Sequence, residues 1–323
     1  MRYIPIIFFI FLFSFTVISC AKKSDSSSSS SASSSSDGST GTYQLATHDY
    51  ANGVVTDSSG NVYVTGGTKG GLDGNTSAGN TDLFVIKYDS SGTKQWTKQL
   101  GSSGRDSANG IAIDSSGNLY VAGITYGGLD WNTNSGANDL FVVKYNSSGT
   151  KEWTKQLGTE EYDEARGVAT DSSGNVYVVG GTKGNLDGNS NSGRTDLFVI
   201  KFNSSGTRQW TKQLGTWQTD VANGVVTDSS GNVYVTGGTY GGLDGNTNAG
   251  NSDLFVVKYN SSGTKQWTKQ LGSSSRDYDY GVATDSSRNV YVSGDTYGGL
   301  DGNTSAGNAD LFVVKYNSSG TKQ

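Results

Sequence analysis

Short apolar runs alternate with polar turns along most of the chain, and they have the length of β-strands rather than helices. The first run, Gly53 to Asp57, and the second, Asn61 to Gly66, flank an Asp-Ser-Ser-Gly-Asn segment. The third, Asp82 to Tyr88, is apolar almost without alternation, which predicts a strand covered on both faces. The fourth, Lys94 to Leu100, alternates and carries two lysines, which is typical of an outer edge strand. We name these predicted strands A, B, C and D.

This set of four strands is repeated five times at a constant spacing. The glycine that opens strand A recurs every 57 residues without insertion or deletion, at Gly53, Gly110, Gly167, Gly224 and Gly281. A fixed period of this kind indicates one repeat array, because each unit needs its neighbour to bury its apolar face. Four antiparallel strands per unit are typical of a propeller blade. The expected fold is therefore all-β: a β-propeller of five four-stranded blades.

Both hairpin turns of a unit, A–B and C–D, have the form x-Ser-Ser-Gly-x. In three-residue hairpins of this type the glycine takes the left-handed backbone conformation, which costs a residue with a Cβ more. We therefore expect this conformation at Gly60 and Gly92. Arg288 replaces the glycine in the last unit, so the A–B turn there is expected to be strained by about 1 kcal/mol.

The two ends of the array complement each other. The chain stops at Gln323, before the fifth strand D is complete, whereas Thr42 to Leu45 matches Thr97 to Leu100 near the other end of the first unit. Counting this first segment as a strand D, there are five copies of every strand. We expect the N-terminal strand to pair with the C-terminal blade and close the ring, so the predicted propeller extends over residues 41–323.

These repeats resemble the SBBP-type bacterial β-propeller repeats. The resemblance rests on GVVTDSSGNVYVTGGT followed by DLFVIKYDSSGTKQW, and it covers all five units. It implies a propeller of an exported or surface protein and implies no particular activity. Between strands B and C this chain has a proline-free TKGGLDGNTSAGNTD, where the family usually has a short Ser/Asp segment leading to Phe-Pro. The number of blades is therefore taken from the repeats and not from the family.

The first 20 residues have the pattern of a processed export signal. Arg2 precedes a Phe/Ile-rich run, Ile4 to Ile18, that is shorter than the ~20 residues a membrane-spanning helix needs. The run ends in Val-Ile-Ser-Cys, which resembles the lipoprotein box, so Cys20 is the expected lipidation site; the alternative is an ordinary leader with an unrelated cysteine. Ala21 favours export to an outer membrane under the same resemblance. Residues 21–40 are Ser-rich and too poor in apolar side chains to offset their ordering entropy, which predicts a flexible tether.

The net charge of the chain restricts the kind of partner that it is expected to bind. Without Arg2 the chain has 23 basic and 29 acidic residues, a net charge of −6 without a basic stripe. A mildly acidic surface of this kind argues against nucleic-acid binding. Cys20 is the only cysteine, so the sequence excludes a disulfide within the chain.

The long segment between strands B and C carries the sharpest motif, Asp-x-Asn-x-(Ser/Asn)-x-Gly-x-x-Asp. Oxygen ligands at alternate positions followed by a carboxylate suit calcium, because this cation takes six to eight oxygens. The segment lacks the central glycine and final glutamate of the EF-hand loop, and Asp, Asn and Gly also form ordinary turns. Calcium is one of these two interpretations, and its candidate ligands are Asp73, Asn75, Asp82, Asp130, Asn132, Asp139, Asp187, Asn189, Asp196, Asp244, Asn246, Asp253, Asp301, Asn303 and Asp310.

Unusual side chains occur in the two long connections, B–C and D–A, which strand parity places on one face of the ring. Trp131 and Trp217 break the repeat, whereas the tryptophan of strand D recurs in each unit and is predicted to pack. An exposed tryptophan can stack on a sugar ring or anchor a protein, although such residues also fold onto neighbouring loops. Glu160, Glu161 and Glu164 form an acidic patch for a cation or a basic partner, unless they are only a solvated charge run.

The sequence therefore predicts a lipid-anchored, non-catalytic binding or scaffold module of the cell envelope, whose long loops contact a protein or glycan. Catalysis has little support, because His48 is the only histidine and no Ser-His-Asp set follows from the spacing. Two alternatives are a carbohydrate-active enzyme that uses loop carboxylates as acid and base, and a surface-coat protein without a discrete ligand.

Overall fold

The computed structural model describes residues 48–323, which form nineteen strands in five antiparallel sheets. The strands are β1 (Asp49–Thr56), β2 (Val62–Thr68), β3 (Asp82–Tyr88), β4 (Lys94–Leu100), β5 (Asp106–Ile113), β6 (Leu119–Thr125), β7 (Asp139–Tyr145), β8 (Lys151–Leu157), β9 (Asp163–Thr170), β10 (Val176–Thr182), β11 (Asp196–Phe202), β12 (Arg208–Leu214), β13 (Asp220–Thr227), β14 (Val233–Thr239), β15 (Asp253–Tyr259), β16 (Lys265–Leu271), β17 (Asp277–Thr284), β18 (Val290–Thr296) and β19 (Asp310–Tyr316). Each sheet is one blade, with its strands in chain order. The predicted leader, Cys20 and the tether lie outside the described residues. Within residues 48–323 no helix has the length and apolar character needed to cross a membrane.

The strand boundaries follow the hydrophobic pattern closely in the outer half of each blade. In blade 1, strands C and D run over Asp82–Tyr88 and Lys94–Leu100, as predicted. Strand A is longer than predicted, because it begins at Asp49, four residues before the repeated glycine. Strand B extends to Thr68. The extension of strand A passes through a β-bulge at Asn52, and pairing with strand B continues on both sides of it.

The hydrophobic core consists of layers between neighbouring blades. Leu83 and Val85 of strand C are fully buried and belong to one cluster with Ala108 and Ile111, which lie on strand A of the next blade. Strand C is buried on both faces, as its unbroken apolar run predicts. Complete burial of one such side chain stabilises a fold by about 1.5–3 kcal/mol. Each blade is therefore held mainly by its neighbours.

The periodic tryptophans of strand D pack between blades, as predicted. In blade 2 the ring of Trp153 lies 6.0 Å from that of Tyr120 and 6.4 Å from that of Phe202 in the next blade. Its indole N–H also donates to the backbone oxygen of Ser204 at 3.3 Å. Tilted aromatic pairs at this spacing are favourable beyond the area they bury. These side chains therefore join two blades.

The hairpin turns have the predicted conformation. Gly60 has a φ of +79° and Gly92 a φ of +84°. The carboxylate of Asp57 accepts hydrogen bonds at 2.9 Å from the backbone nitrogens of Ser59 and Asn61, so it caps the A–B turn. In blade 5, Arg288 occupies the glycine position with a φ of 65°, in the left-handed region. The A–B turn of blade 5 thus has the same left-handed conformation as in the other blades, although a residue with a Cβ is strained there.

Replacing Arg288 by glycine is expected to stabilise the protein by about 1 kcal/mol, because glycine adopts this conformation without the steric cost. The surface hydrogen bond from the Arg288 guanidinium to Ser230 Oγ at 3.2 Å is lost, and this offsets only part of the gain. Denaturant unfolding of Arg288→Gly measures the change. The reverse substitution one blade earlier, Gly231→Arg, is the matched control and should destabilise. A less stable Arg288→Gly protein would contradict the assignment of strain.

Blade 5 differs from the other four in the part of the chain that the structure describes. Its sheet has three strands, β17, β18 and β19. The segment that the sequence predicts as a fourth strand, Thr42 to Leu45, lies outside the described residues. Leu311 and Val313 on β19 are 83% and 66% exposed, whereas the equivalent Leu83 and Val85 are fully buried. Hydrogen-bonded closure of the ring is not seen within residues 48–323, so closure stays a prediction.

Candidate functional site

The five innermost strands surround a central channel, and one bulged residue from each of them lines it. In β1 the bulge falls at Asn52, between the paired residues Ala51 and Gly53. A bulge leaves one residue out of the strand pairing and redirects its side chain. The bulged residues that line the channel are Asn52, Asn109, Arg166, Asn223 and Tyr280.

The channel is narrow because the repeated glycine follows each bulge. A Cβ at Gly110 would lie 3.1 Å from the backbone oxygen of Arg166, and one at Gly53 would lie 3.0 Å from a methyl group of Ile111. The cavity between the strands has a volume of about 40 Å³, which is room for about three water molecules. A ligand larger than a few water molecules must therefore bind at an end of the channel rather than inside it.

A polar network runs along one side of the channel wall, across blades 3, 4 and 5. Arg166 donates to Asn223 Oδ1 at 2.9 Å and forms an ion pair with Glu164 at 3.3 Å. The side-chain amide of Asn223 donates to Asp279 Oδ1 at 2.9 Å. Asp279 is 4% exposed, and this burial raises its pKa. The other four blades have alanine in place of Asp279, so the network makes this side of the channel chemically distinct.

Tyrosines of blade 5 extend this network toward the long loops. The rings of Tyr278 and Tyr297 meet edge to face, with centroids 6.2 Å apart. Tyr280 is 42% exposed beside them. Burial, together with the negative charge and hydrogen bonding of Asp295, raises the pKa of Tyr280 to about 12. This edge of the channel is therefore aromatic, and Tyr280 on it is uncharged at neutral pH.

Three of the predicted binding residues lie on neighbouring D–A loops. Trp217, 71% exposed, lies in the loop before β13, and Glu160 and Glu161 are exposed in the loop before β9. Strands β9 and β13 pack side by side, so their N-terminal ends and the two loops are adjacent. We call Trp217, Glu160 and Glu161 the loop face. Glu164 is separated from this face, because its carboxylate pairs with Arg166, which lines the channel.

Trp131 is fully exposed but lies on the outer rim of blade 2. It ends the short 3₁₀ turn Leu129–Trp131. Within this turn Asp130 pairs with Lys151, and the backbone nitrogen of Leu129 donates to Gln156 Oε1 at 2.8 Å. Both partners belong to β8, the outermost strand. The structure therefore separates Trp131 from Trp217, which strand parity alone had placed together.

The Asp-x-Asn segments fasten the long loops of blades 1 to 4 to the outer strand of the same blade, and that of blade 5 to Lys322 near the chain end. Asp73 pairs with Lys94 on β4, and the side-chain amide of Asn75 donates to the backbone oxygen of Leu72 at 2.7 Å. Asp73 has a φ of 52°, a left-handed conformation that aspartate tolerates better than most residues. The same two contacts recur in the other blades at Asp130 and Asn132, Asp187 and Asn189, Asp244 and Asn246, and Asp301 and Asn303. The loops thereby cover edge strands that would otherwise be open to pairing.

The last candidate ligand of each loop lies apart from the Asp-x-Asn pair. Asp82 Oδ2 accepts hydrogen bonds from the backbone nitrogen of Ala78 at 2.8 Å and from Gln99 Nε2 at 2.7 Å. Equivalent backbone contacts are made by Asp139, Asp196, Asp253 and Asp310. Within residues 48–323 no three His, Cys, Asp or Glu side chains gather as a metal site. Calcium stays a prediction, and a cation bound at Asp73 would have to displace Lys94.

Sequence reasoning missed the channel residues, although the repeats contain a signal for them. The position before the repeated glycine reads Asn, Asn, Arg, Asn and Tyr in the five units, and the position before that is alanine except at Asp279. A charged residue at a repeat position that is mostly asparagine, such as Arg166, marks a departure from the repeated scaffold. The predicted strand A begins at the repeated glycine, so the two positions before it lie outside the predicted strands.

A protein-family model for the SBBP beta-propeller repeat matches the chain five times, at residues 44–73, 95–130, 152–187, 209–244 and 266–301. Regulatory protein FlaEY of Caulobacter vibrioides is 30% identical over 197 residues, which are 54% of this chain and 21% of that protein. An uncharacterized WD repeat-containing protein of Acanthamoeba polyphaga mimivirus is 25% identical over 291 residues, 66% of this chain and 21% of that protein. The chain thus spans about a fifth of the length of these relatives.

Solved structures with a similar fold include two that align with most of the chain. A protein of unknown function from Bacteroides caccae has a TM-score of 0.46 at 12% identity, over 86% of this chain and 81% of that chain. The β-propeller domain of the Trilobed protease from Pyrococcus furiosus has a TM-score of 0.46 at 7% identity, over 85% of this chain and 70% of that chain.

Proposed function

Because the chain belongs to the SBBP beta-propeller repeat family, we propose that it is a non-catalytic binding module in which the repeats are the scaffold and the few non-repeated side chains make the contacts. The observation that carries this proposal is the loop face. There Trp217 is 71% exposed, and Glu160 and Glu161 are exposed on the adjacent loop. Tryptophan is enriched among the residues that dominate binding energy, and leaving its large apolar ring in water is unfavourable for a protein without a partner.

The partner that fits the loop face is a protein or a glycan. A sugar ring can stack on the indole of Trp217 while its hydroxyl groups donate to the carboxylates of Glu160 and Glu161. A basic protein surface would use the same carboxylates as ion-pair partners and the indole as an apolar anchor. Both modes need the tryptophan and the carboxylates together, so the site is one surface.

The proposed location is the cell envelope, with the propeller attached through a lipid on Cys20 and most consistent with the outer membrane. This rests on the lipoprotein-like end of the leader and on the Ser-rich composition of residues 21–40. A flexible chain of this length has an end-to-end distance of about 25 Å. Such a tether would let the loop face meet partners close to the membrane surface.

Trp217→Ala is expected to weaken partner binding at least about tenfold, because a central tryptophan typically contributes 2 kcal/mol or more. The measurement uses the full-length protein against immobilised envelope polysaccharide and against solubilised envelope proteins. Trp131→Ala is the matched control, since it removes another exposed indole, which lies on the outer rim. An equal loss of binding in both variants, or no loss in Trp217→Ala, would argue against the loop face as the binding site. Hydrolysis of the polysaccharide would instead favour the carbohydrate-active enzyme.

We also propose that the ring closes through the segment from Thr42 to Leu45. In blade 1, Gln99 of strand D accepts from the backbone nitrogen of Leu72 at 2.9 Å and donates to Asp82 Oδ2 at 2.7 Å. Gln44 is the glutamine of the matching segment. A fourth strand beside β19 would let it make these contacts in blade 5 and would bring apolar cover to the exposed side of that blade.

A further inference from the structure

The end of the channel nearest the long loops carries basic and aromatic side chains. The residue before each strand A lies at this end, beside the residue that follows strand B of the same blade. In blade 2 the backbone nitrogen of Tyr126 donates to the oxygen of Arg105 at 2.9 Å, and in blade 5 that of Tyr297 donates to the oxygen of Arg276 at 2.9 Å. In blade 1 the residue after strand B is Lys69. Because strand A is the innermost strand of each blade, these residues lie at the opening of the channel.

The side chain of Arg105 reaches the inner strands of blades 1 and 2. Its guanidinium donates to the hydroxyl of Tyr50 at 3.3 Å, and this hydroxyl donates to Ser107 Oγ at 3.1 Å. Tyr50 and Ser107 each lie two residues before a bulged asparagine, Asn52 or Asn109, that lines the channel. Arg105 therefore lies next to the channel wall rather than on the outer rim.

Blade 5 brings tyrosines to the same opening. Tyr280 lines the channel and hydrogen-bonds to Asp295, a carboxylate on this side, and Tyr278 and Tyr297 lie beside it in edge-to-face contact. Tyr297 has 46% of its surface exposed, and Tyr126 of blade 2 has 43%. A tyrosine ring combines a flat apolar surface with a hydroxyl group at its edge, so it can stack on a sugar ring that is itself partly apolar. The opening thus offers two exposed aromatic rings.

The cations at this opening have no carboxylate partner in the part of the chain that the structure describes. All three, Lys69, Arg105 and Arg276, are exposed. The ion pairs of residues 48–323 use other cations: Lys94, Lys144, Lys151, Arg166, Arg208, Lys265 and Lys322. The chain has a net charge of −5, so three unpaired cations at one opening form a local basic surface. A guanidinium can form two parallel hydrogen bonds to a carboxylate, which makes it a strong partner for that group.

The loop face lies on other blades than these cations. Glu160 and Glu161 precede β9 of blade 3, and Trp217 precedes β13 of blade 4, whereas the three cations belong to blades 5, 1 and 2. Lys183 holds the equivalent position in blade 3, but there it lies over the ring of Tyr162, 5.4 Å from its centroid, in the blade of the acidic loop. The two surfaces thus carry opposite charges. We call the second one the basic mouth, which consists of Lys69, Arg105, Tyr126, Arg276 and Tyr297.

We propose that the basic mouth binds an acidic glycan, that is, a sugar chain that carries carboxylate groups. Arg105 and Arg276 pair with its carboxylates. The rings of Tyr126 and Tyr297 stack on its sugars. The glycan lies across the opening, because the channel itself, at about 40 Å³, has room only for a few water molecules. A nucleic acid fits less well, since its affinity depends on many phosphate contacts and the mouth offers three cations. This site does not depend on the loop face, which carries the opposite charge.

The test is isothermal titration calorimetry of the full-length protein with oligomers of galacturonic, glucuronic and mannuronic acid. At least one of these acidic oligomers is expected to bind, with an affinity that falls as salt is added, and a neutral maltooligosaccharide of equal length should bind at least about tenfold more weakly. The variant R105Q/R276Q is expected to lower the affinity for the acidic oligomer about a hundredfold, a factor of about ten for each arginine. Arg194→Gln is the matched control, since it removes an exposed arginine from the long loop of blade 3, and it should leave the affinity unchanged. If the double variant does not fold, Arg276→Gln alone should still lower the affinity about tenfold.

The stacking contact is tested separately at Tyr297. Tyr297→Ala should weaken binding of the acidic oligomer about threefold to tenfold, whereas Tyr297→Phe keeps the ring and should bind like the wild type. Trp217→Ala should leave this affinity unchanged, and a loss there with none in R105Q/R276Q would place the glycan on the loop face and overturn the basic mouth. The proposal would also be overturned if no acidic oligomer binds, if the neutral oligomer binds equally well, or if a single-stranded oligonucleotide binds more tightly than any of them.

Discussion

Trp153→Ala is expected to lower the free energy of unfolding by about 3–5 kcal/mol. The indole joins blades 2 and 3, since its ring packs between Tyr120 and Phe202 and its N–H donates to the backbone of Ser204. Its removal leaves an unfilled volume at the boundary and takes away one of the two donors to the backbone oxygen of Ser204, which Lys144 Nζ still reaches at 3.1 Å. Denaturant unfolding measures this loss directly.

Trp131→Ala provides the control within the same blade. Its side chain is fully exposed, so alanine should change the free energy of unfolding by less than about 0.5 kcal/mol. Similar losses in the Trp131 and Trp153 variants would mean that the rim turn carries packing that the exposure of Trp131 does not show. A small loss in Trp153→Ala would mean that the blade boundaries tolerate cavities and that strands B and C supply most of the stability.

Leu311→Ala is expected to cost about 2–5 kcal/mol if the ring closes as proposed, because this leucine then becomes part of a fifth blade boundary. In residues 48–323 it is 83% exposed, and for a side chain in that state alanine should change the stability by less than about 0.5 kcal/mol. A closed ring and an open ring thus predict losses of stability for Leu311→Ala that differ several-fold.

Leu83→Ala is the positive control for this experiment, because Leu83 holds the same position in blade 1 and is fully buried. Gln44→Ala probes the proposed closing strand from its other side, and its effect should be absent in a Leu311→Ala background if both act through the same contact. Full stability of Leu311→Ala beside a destabilised Leu83→Ala would show that blades 1 and 5 do not pack against each other.

The periodic pattern was sufficient for the parts of the blade that are set by local sequence and burial. The apolar run from Asp82 to Tyr88 and the alternating run from Lys94 to Leu100 gave the bounds of strands C and D, because each run ends at a polar turn. The left-handed turn positions also followed from the sequence, down to the strained Arg288, since only backbone sterics decide them. These features depend on few residues and are repeated five times.

The candidate sites were less predictable, because they depend on contacts between distant residues. Strand parity placed Trp131 and Trp217 on one face, but the ion pair of Asp130 with Lys151 carries the first of them to the outer rim. The motif that suggested calcium contains Asp73 and Asp82, and the fold directs the first to a lysine and the second to a blade boundary. Spacing along the chain does not reveal which partner each carboxylate reaches.

The sequence by itself determined the repeat, the all-β class, the blade strands and their turns, because hydrophobic period and glycine positions act within a few residues. Only the tertiary structure decided that Arg166 and Asp279 are joined through Asn223, since a bulge and three successive blades bring them to one channel wall. It also decided that aspartates 24 residues apart, such as Asp82 and Asp106, are both completely buried where two blades meet. That juxtaposition arises from the packing of one blade against the next, which no single repeat contains.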